Sequence, residues 1–225
     1  MIEAISQHSS YCKIDIAGQE LTLLPEKCLY WHTREALILS DLHLGKAGHF
    51  RKAGIPVPGH IHFHDLQRLD QAIRQQDVRQ VIFIGDLFHS DINSEWLLFE
   101  EWMTTHPEVK FVLVKGNHDI LPAELYRNSK MEIHDDCLDI SPFLLCHIPP
   151  EPDTLPADRY TISGHIHPGI RLRGMGRQSE TLACFHFGAA SAVLPAFGKF
   201  TGLYRIKPAP TDKIFAVAGT RVISL

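Results

Sequence analysis

The chain has no apolar run approaching the roughly 20 residues that a membrane-spanning helix needs, so no membrane span is expected. It has no CxxC pair. Its five cysteines (Cys12, Cys28, Cys137, Cys146, Cys184) are an odd number, so neither a zinc knuckle nor a disulfide framework is expected. It has no basic excess: 22 Lys+Arg stand against 26 Asp+Glu, a formal net charge of −4. Tight nonspecific binding to a polyanion is therefore not the default, although a local basic patch stays open. There is no internal repeat, no low-complexity tract and no composition break that would mark a linker. The 225 residues read as one domain, 1–225, large enough for a hydrophobic core without disulfide support. The N-terminal MIEAISQHSSYCKIDI shows neither a basic n-region nor an apolar h-region, so the expected setting is a reducing cytoplasm. What the chain has in excess is histidine, 15 in all. Histidine is the commonest metal ligand and the usual acid–base group near neutral pH, so position decides its meaning.

Apolar periodicity gives a coarse plan. CKIDIAGQELTLLP predicts two short strands around a turn at Gly18. CLYWHTREALILSDLHLG holds another pair, the second (36–40) apolar throughout and so buried on both faces. HFRKAGIPVPGH is a loop, and residues 60–76 fit a helix with Phe63, Leu66, Leu69 and Ile73 on one side. RQVIFIGDLF contains a second buried strand. NSEWLLFEEWMTTHP is a helix capped near Asn93 and stopped by Pro107, with Trp96, Phe99 and Trp102 as packing residues. KFVLVKGNHD, FLLCH and YTISGHIH supply three more buried strands. After them TLACFHFGAASAVLP, FTGLYRIKP and KIFAVAGTRVISL are strand-rich, the last a hairpin turning at Ala218-Gly219. Strands alternating with helices, followed by a run of strands, indicate α/β layers with two sheets face to face.

Each of the five apolar strands ends in the same kind of chemistry. The ends are Ser40-Asp41-Leu42-His43, Gly85-Asp86, Gly116-Asn117-His118-Asp119, His147, and Gly164-His165-Ile166-His167. Ligands of open α/β sheets bind beyond the carboxyl ends of strands, so these side chains should converge. Carboxylate oxygen, imidazole nitrogen and amide oxygen suit manganese, iron or zinc. The donors are too many for one ion and about enough for two that share a carboxylate. In DxH and HxH, alternate residues of an extended segment point the same way. The glycines before Asp86, Asn117 and His165 allow sharp turns and close backbone approach.

DLHLG, GDLFH, GNHD, a lone His and GHIH, in that order over residues 41 to 167, resemble the calcineurin-like metallophosphoesterases. LILSDLHLGKAGHFRKAGIPVP, GHIHPGIRL and LPAFGKFTG are similar to the bacterial ligase-associated DNA damage response endonucleases of the PdeM type. The resemblance implies a four-layer αββα sandwich with two packed mixed sheets. It implies two divalent ions, manganese first, with iron, zinc or a mixture as alternatives. Asp41, His43, Asp86 and His167 would hold one ion. Asp86, Asn117, His147 and His165 would hold the other, with Asp86 bridging. Such ions, about 3.5–4 Å apart, acidify a shared water, and the resulting hydroxide attacks phosphorus in line. His118 would be the catalytic histidine beside the leaving group, and Asp119 a support for the turn. The implied activity is a phosphodiesterase, with DNA as a candidate substrate and a DNA ligase and a helicase as functional associates.

One position departs from the pattern. Many relatives carry Asp three residues after the bridging Asp; here it is His89, a polar neighbour that does not place the negative charge of a carboxylate beside His118. Lys46, Arg51 and Lys52 lie in the loop after the first motif, and Arg171, Arg173 and Arg177 follow the last. Both groups could hold substrate phosphate. His49, His60, His62 and His64 read as a solvated face, and Cys146 as a core residue without chemistry. Two alternatives stand: a small-molecule phosphatase or pyrophosphohydrolase, and a non-catalytic scaffold on the same fold. Enzymes that cleave the UDP-diacylglucosamine pyrophosphate share DLHL and GDLF but usually have Arg where His118 stands, and they need an apolar insertion absent here. A complete ligand set with His118 argues against a scaffold.

Overall fold

The computed structural model describes residues 10–45, 61–88, 94–174 and 178–225. Strands β1 (Cys12–Ile16) and β2 (Gln19–Leu24) form a hairpin whose two turn residues, Ala17 and Gly18, have φ of 51° and 73°. Both values belong to the mirror-image turns that match strand twist. β3 (Cys28–Trp31) and β4 (Ala36–Leu39) continue the antiparallel run. From β4 the sheet turns parallel, through β5 (Gln80–Ile84), β6 (Lys110–Val114) and β7 (Glu132–His134). The crossovers contain helices α1 (Ile61–Gln75), α2 (Ser94–Thr104) and α3 (Ala123–Asn128), as parallel pairing requires. The order of this sheet is β1-β2-β3-β4-β5-β6-β7.

The second sheet is mixed. It contains β8 (Cys137–Ile140), β9 (Phe143–Cys146), β10 (Tyr160–Ser163), β11 (Pro168–Arg173) and β12 (Ser179–Phe187). β13 (Ser191–Val193), β14 (Tyr204–Arg205), β15 (Lys213–Ala218) and β16 (Arg221–Ser224) complete it. Its main path runs β14-β11-β12-β13-β10-β9-β8, with β15 on β12 and β16 on β15.

Pleating divides the first sheet's side chains between two cores. Leu37, Leu39, Val81, Phe83, Phe111 and Leu113 pack against Leu69 and Ala72 of α1 and Trp96, Phe99 and Trp102 of α2. The alternate residues Ile38, Ile82, Ile84, Val112 and Val114 pack against Leu145, Ile162, Phe185 and Phe187 of the second sheet. Burial on both faces is why these strands read as unbroken apolar runs. The result is an α/β sandwich of two mixed sheets with a helical layer on the first.

Several local expectations are corrected. The final hairpin turns at Gly219-Thr220, because Ala218 is already paired with Arg221 and Gly219 has φ of 60°. α2 ends at Thr104, before Pro107, and Asn93 lies outside the described residues. α3, β7, β8 and β11 are additions to the sequence plan; α3, β7 and β8 are short, whereas β11 alternates Ile170-Arg171-Leu172-Arg173 in strand fashion. Cys137 and Cys146 form a disulfide, against the expectation of none. The β8–β9 register sets these two residues opposite each other with Cα atoms 4.5 Å apart, a juxtaposition that sequence spacing does not reveal.

Candidate metal centre

The carboxyl ends of β4, β5, β6, β9 and β10 meet along one edge of the sandwich. Two groups of donors form there: Asp41, His43 and His167, and Asp86, His147 and His165, each with ligand atoms within 4.8 Å of one another. Asp86 faces both. Its Oδ2 lies 3.8 Å from His43 Nε2 and its Oδ1 3.4 Å from His147 Nε2. Asn117 Oδ1 is 3.0 Å from His147 Nε2, and His165 Nδ1 is 3.1 Å from that same nitrogen. The His118 ring stands 5.5 Å from the His43 ring, centroid to centroid, so it borders the first group.

The backbone that presents these donors is unusual. Eight non-glycine residues among those described have positive φ, and five are Asp41, His43, Asp86, His165 and His167. Such conformations cost about 1–3 kcal/mol each and persist only where the surroundings impose them. They also correct the reading of DxH and HxH as extended segments. His165 and His167 enter different groups, and Asp41 and His43 converge through left-handed turns. A ladder of hydrogen bonds imposes the turns: the N–H groups of Asp41, His43 and Leu44 donate to the carbonyls of Gly85, Asp86 and Leu87. The β4–β5 pairing thus continues into the ligand loops. The Ser40–Leu42 turn is held from the other side by Phe197 N–H on the Ser40 carbonyl and Gly198 N–H on the Asp41 carbonyl. Only glycine fits at 198, since a Cβ there would lie 2.5 Å from the Leu42 carbonyl oxygen. Arg68 of α1 donates to the Phe197 carbonyl at 2.6 Å and lies over the Phe197 ring. These contacts account for the LPAFGKFTG stretch.

Buried charges are balanced within the site. Burial opposes ionisation of Asp86, but the His147 ring, the His118 N–H at 2.9 Å and His43 hold its carboxyl down to about 2. Burial likewise opposes charge on His147, yet Asp86, Asp41 and the Ile84 carbonyl push its pKa up. His147 Nδ1 lies 3.1 Å from the Ile84 carbonyl, so it carries the proton there and leaves Nε2 as the donor atom facing Asp86 and Asn117. Asp119 is 3% exposed and accepts N–H bonds from Gly116 at 2.8 Å and Phe88 at 3.0 Å. It ties the GNHD turn to the loop after β5. Burial pushes its carboxyl up to about 6 despite those two bonds.

The donor chemistry fits divalent ions. Asp41 Oδ1 is buried without a hydrogen bond, although His167 Nε2 lies 3.2 Å away. Two acceptor atoms sharing space in this way suit a common cation. Arg171 and Arg173 are exposed on β11, outside the donor groups, and His64 is exposed on α1. Lys46, Arg51, Lys52, His49, His60, His89 and Arg177 lie outside the described residues. Arg68 and Gly198, which hold the first ligand loop, are not legible as site residues in the sequence. The signal for Gly198 is the LPAFGKFTG stretch in which it stands, and Arg68 has none.

The chain belongs to the calcineurin-like phosphoesterase family, whose model matches residues 36–158. The crystal structure of Pseudomonas putida nuclease MPE matches at 32% sequence identity, covering 96% of this chain and 100% of that one, with a TM-score of 0.79. No curated protein matches in sequence. The chain is a metal-dependent phosphoester hydrolase.

Proposed function

We propose that this protein is a dinuclear, manganese-dependent phosphodiesterase that cleaves DNA. The observation that carries the reading is the double use of Asp86, one oxygen toward His43 and the other toward His147, between two donor groups. Asp41, His43, Asp86 and His167 would hold one ion, and Asp86, Asn117, His147 and His165 the other. Bound there, two such ions supply an acidified water and neutralise phosphoryl charge. The chain's own part is to fix that charge. The Asp86 carboxyl stays ionised, the His147 tautomer is set by the Ile84 carbonyl, and His118 stands beside the first group to donate to a phosphoryl or leaving oxygen. Asp119 holds the His118 turn against the loop after β5. Lys46 and Arg51 join the proposal as residues that hold phosphate at the site, Arg171 and Arg173 as residues that hold substrate phosphate along β11 away from the metal centre, and His89 as a polar neighbour of the site. Both cores lie along the first sheet, which supports one domain spanning 1–225. The likeness to a nuclease supports DNA as substrate. The PdeM-type motifs support a cytoplasmic role in DNA repair beside a ligase and a helicase.

The test is hydrolysis by metal-stripped protein of a chromogenic phosphodiester, the matching monoester and linear DNA. Each is run with manganese, zinc, magnesium or no metal, beside His118→Asn. Diester and DNA cleavage that needs manganese and collapses in the variant is expected. Preference for the monoester would replace this reading with a small-molecule phosphatase. No turnover with any metal, despite bound ions, would leave a scaffold.

A further inference from the structure

The hairpin of β11 and β12 begins at the site and runs away from it. Pro168, its first residue, follows His167, and the Tyr204 N–H donates to the His167 carbonyl at 2.9 Å. This bond docks β14 in parallel on β11, pairing Pro168 with Tyr204 and Gly169 with Arg205. Residues paired across strands share a face, and alternate residues along a strand return to it. Arg205 therefore lies on the face of Gly169, Arg171 and Arg173. On β12 the same face carries Thr181, opposite Arg171, and Ser179, opposite Arg173. Arg171, Arg173 and Arg205 are exposed. None of the three is in an ion pair among the described residues. The contact made by Arg171 is a hydrogen bond from Nη2 to Ser179 Oγ at 2.6 Å. The hairpin's acid, Glu180, is paired with Leu172 and so lies on the opposite face, with the half-buried Ile170 and Leu182.

Further along β12 the arginine face becomes the face of Phe185 and Phe187, which pack between the two sheets. It is thus the inner face of the sandwich carried beyond the core, where apolar side chains give way to three guanidiniums and two hydroxyls. The rise of roughly 3.3 Å per residue puts Arg171 about 13 Å and Arg173 about 20 Å along the chain from His167. Arg173 is therefore out of reach of a phosphate bound at the metal centre, and the Arg171 guanidinium is turned away from it, toward Ser179 opposite Arg173. A small phosphorylated substrate could not use them. A polynucleotide whose scissile phosphate sits at the metals could.

We propose that this face is a backbone track for a nucleic-acid strand, with Arg205, paired with Gly169, at the end nearest the metals and Arg171 and Arg173 each holding a phosphate remote from the cleaved one. The proposal rests on the phosphodiesterase reading above and separates a polynucleotide substrate from a small diester. Arginine's fork suits bidentate contact with phosphate, and the neighbouring hydroxyls add donors. Contacts of this kind set affinity without reading sequence.

The experiment compares wild type with the Arg171→Ala/Arg173→Ala variant, both loaded with manganese. The substrates are a chromogenic diester, a dinucleotide and a 20-nucleotide single strand, across a salt series. Both substituted side chains are exposed, so the fold is not at stake. Turnover of the chromogenic diester and the dinucleotide should stay within twofold. For the 20-mer, KM should rise at least tenfold with kcat little changed. The slope of log(kcat/KM) against log salt should become shallower by about 1.4, near 0.7 for each phosphate of a single strand that is no longer held. An unchanged 20-mer KM and salt slope overturn the track while leaving DNA cleavage intact. Wild-type protein that cleaves the chromogenic diester but no polynucleotide overturns both the track and the DNA reading.

Discussion

An alanine at position 85 would set a methyl group where the His147 imidazole now lies. A Cβ built on Gly85 falls 2.2 Å from His147 Nδ1, 2.3 Å from Cγ and 2.6 Å from Cβ. His147 is 2% exposed, so it has no free space to swing into, and relief requires the ring to retreat by about 1 Å from ordinary packing geometry. Metal–ligand distances tolerate only about 0.2 Å. Gly85→Ala should therefore remove one ligand from the group of Asp86, Asn117 and His165 while sparing Asp41, His43 and His167. A misplacement of that size costs on the order of 10²-fold in rate. The backbone provides an internal control. Gly85 and Gly18 share φ of 73°, but nothing lies within 4 Å of a Cβ at Gly18. Both variants meet the left-handed penalty of about 1–2 kcal/mol. Gly18→Ala should lose that much stability in urea unfolding and keep full activity. Gly85→Ala should retain one manganese of two by elemental analysis and lose about a hundredfold in diester turnover. Two tightly bound ions and activity within threefold of wild type in Gly85→Ala would refute the assignment of His147 as a ligand.

Three further outcomes follow from the same structure. Lys27 is held down to about 8 by burial and by Arg68, only partly offset by Asp65. Its folded pKa lies below its unfolded one, so the charged form penalises folding below pH 8 and the penalty disappears as pH rises from about 8 toward 10.5. Lys27→Met, which keeps the side chain's stem and the same φ of 69°, should gain roughly 1–2 kcal/mol at pH 7 after discounting partial exposure. That gain should shrink toward pH 10; a pH-independent gain would show that charge burial is not its cause. Cys137→Ser should cost about 2–3 kcal/mol in urea unfolding, from the loss of a short cross-strand loop closure. A variant as stable as wild type, whose thiols were blocked before unfolding, would rule out a bond in the native protein. Restoring manganese to chelator-stripped protein at a hundred times its Kd should add about 2.7 kcal/mol per site. For a chain of this size that is roughly 5–10 °C in Tm per site, and no rise in a thermal melt would deny these donors a role in ion binding.

How far the sequence reveals this site depends on how local each requirement is. Ligand residues must stand at the ends of buried strands, and both a buried strand and its polar terminus are local patterns. Asp41, Asp86, Asn117, His147 and His165 are therefore legible from the chain alone. Elements defined by pairing are not. Nothing local in Cys137 announces that it will face Cys146, and nothing in Arg205 announces the face of Arg171; each follows from a register between segments distant in sequence. The conformation of the ligand loops departs from expectation for a related reason. Alternation in DLH and HIH imitates a strand, whereas the chain leaves the strand at Asp41 and at His165 with positive φ.

That departure shows why the motifs carry their glycines. A loop forced into left-handed turns at both residues of a DxH or HxH pair cannot be held by its own strand, which ends before it. It is held by neighbours close enough that no side chain fits between. A Cβ at Gly164 would lie 2.7 Å from Asp41 Oδ2, the oxygen that accepts the His165 N–H at 2.9 Å. A Cβ at Gly116 would lie 2.3 Å from Asp86 Oδ1, the oxygen that accepts the His118 N–H. Each of these carboxylates thus serves twice, as a candidate metal donor and as the anchor for the next loop. Each glycine is the gap that lets the anchor through. Asp41 ties the first sheet to the second through Oδ2 while its Oδ1 faces His167, and Asp86 ties the loops after β5 and β6 together, so a substitution at Gly116 or Gly164 should act on Asp86 or Asp41 before it acts on its own loop.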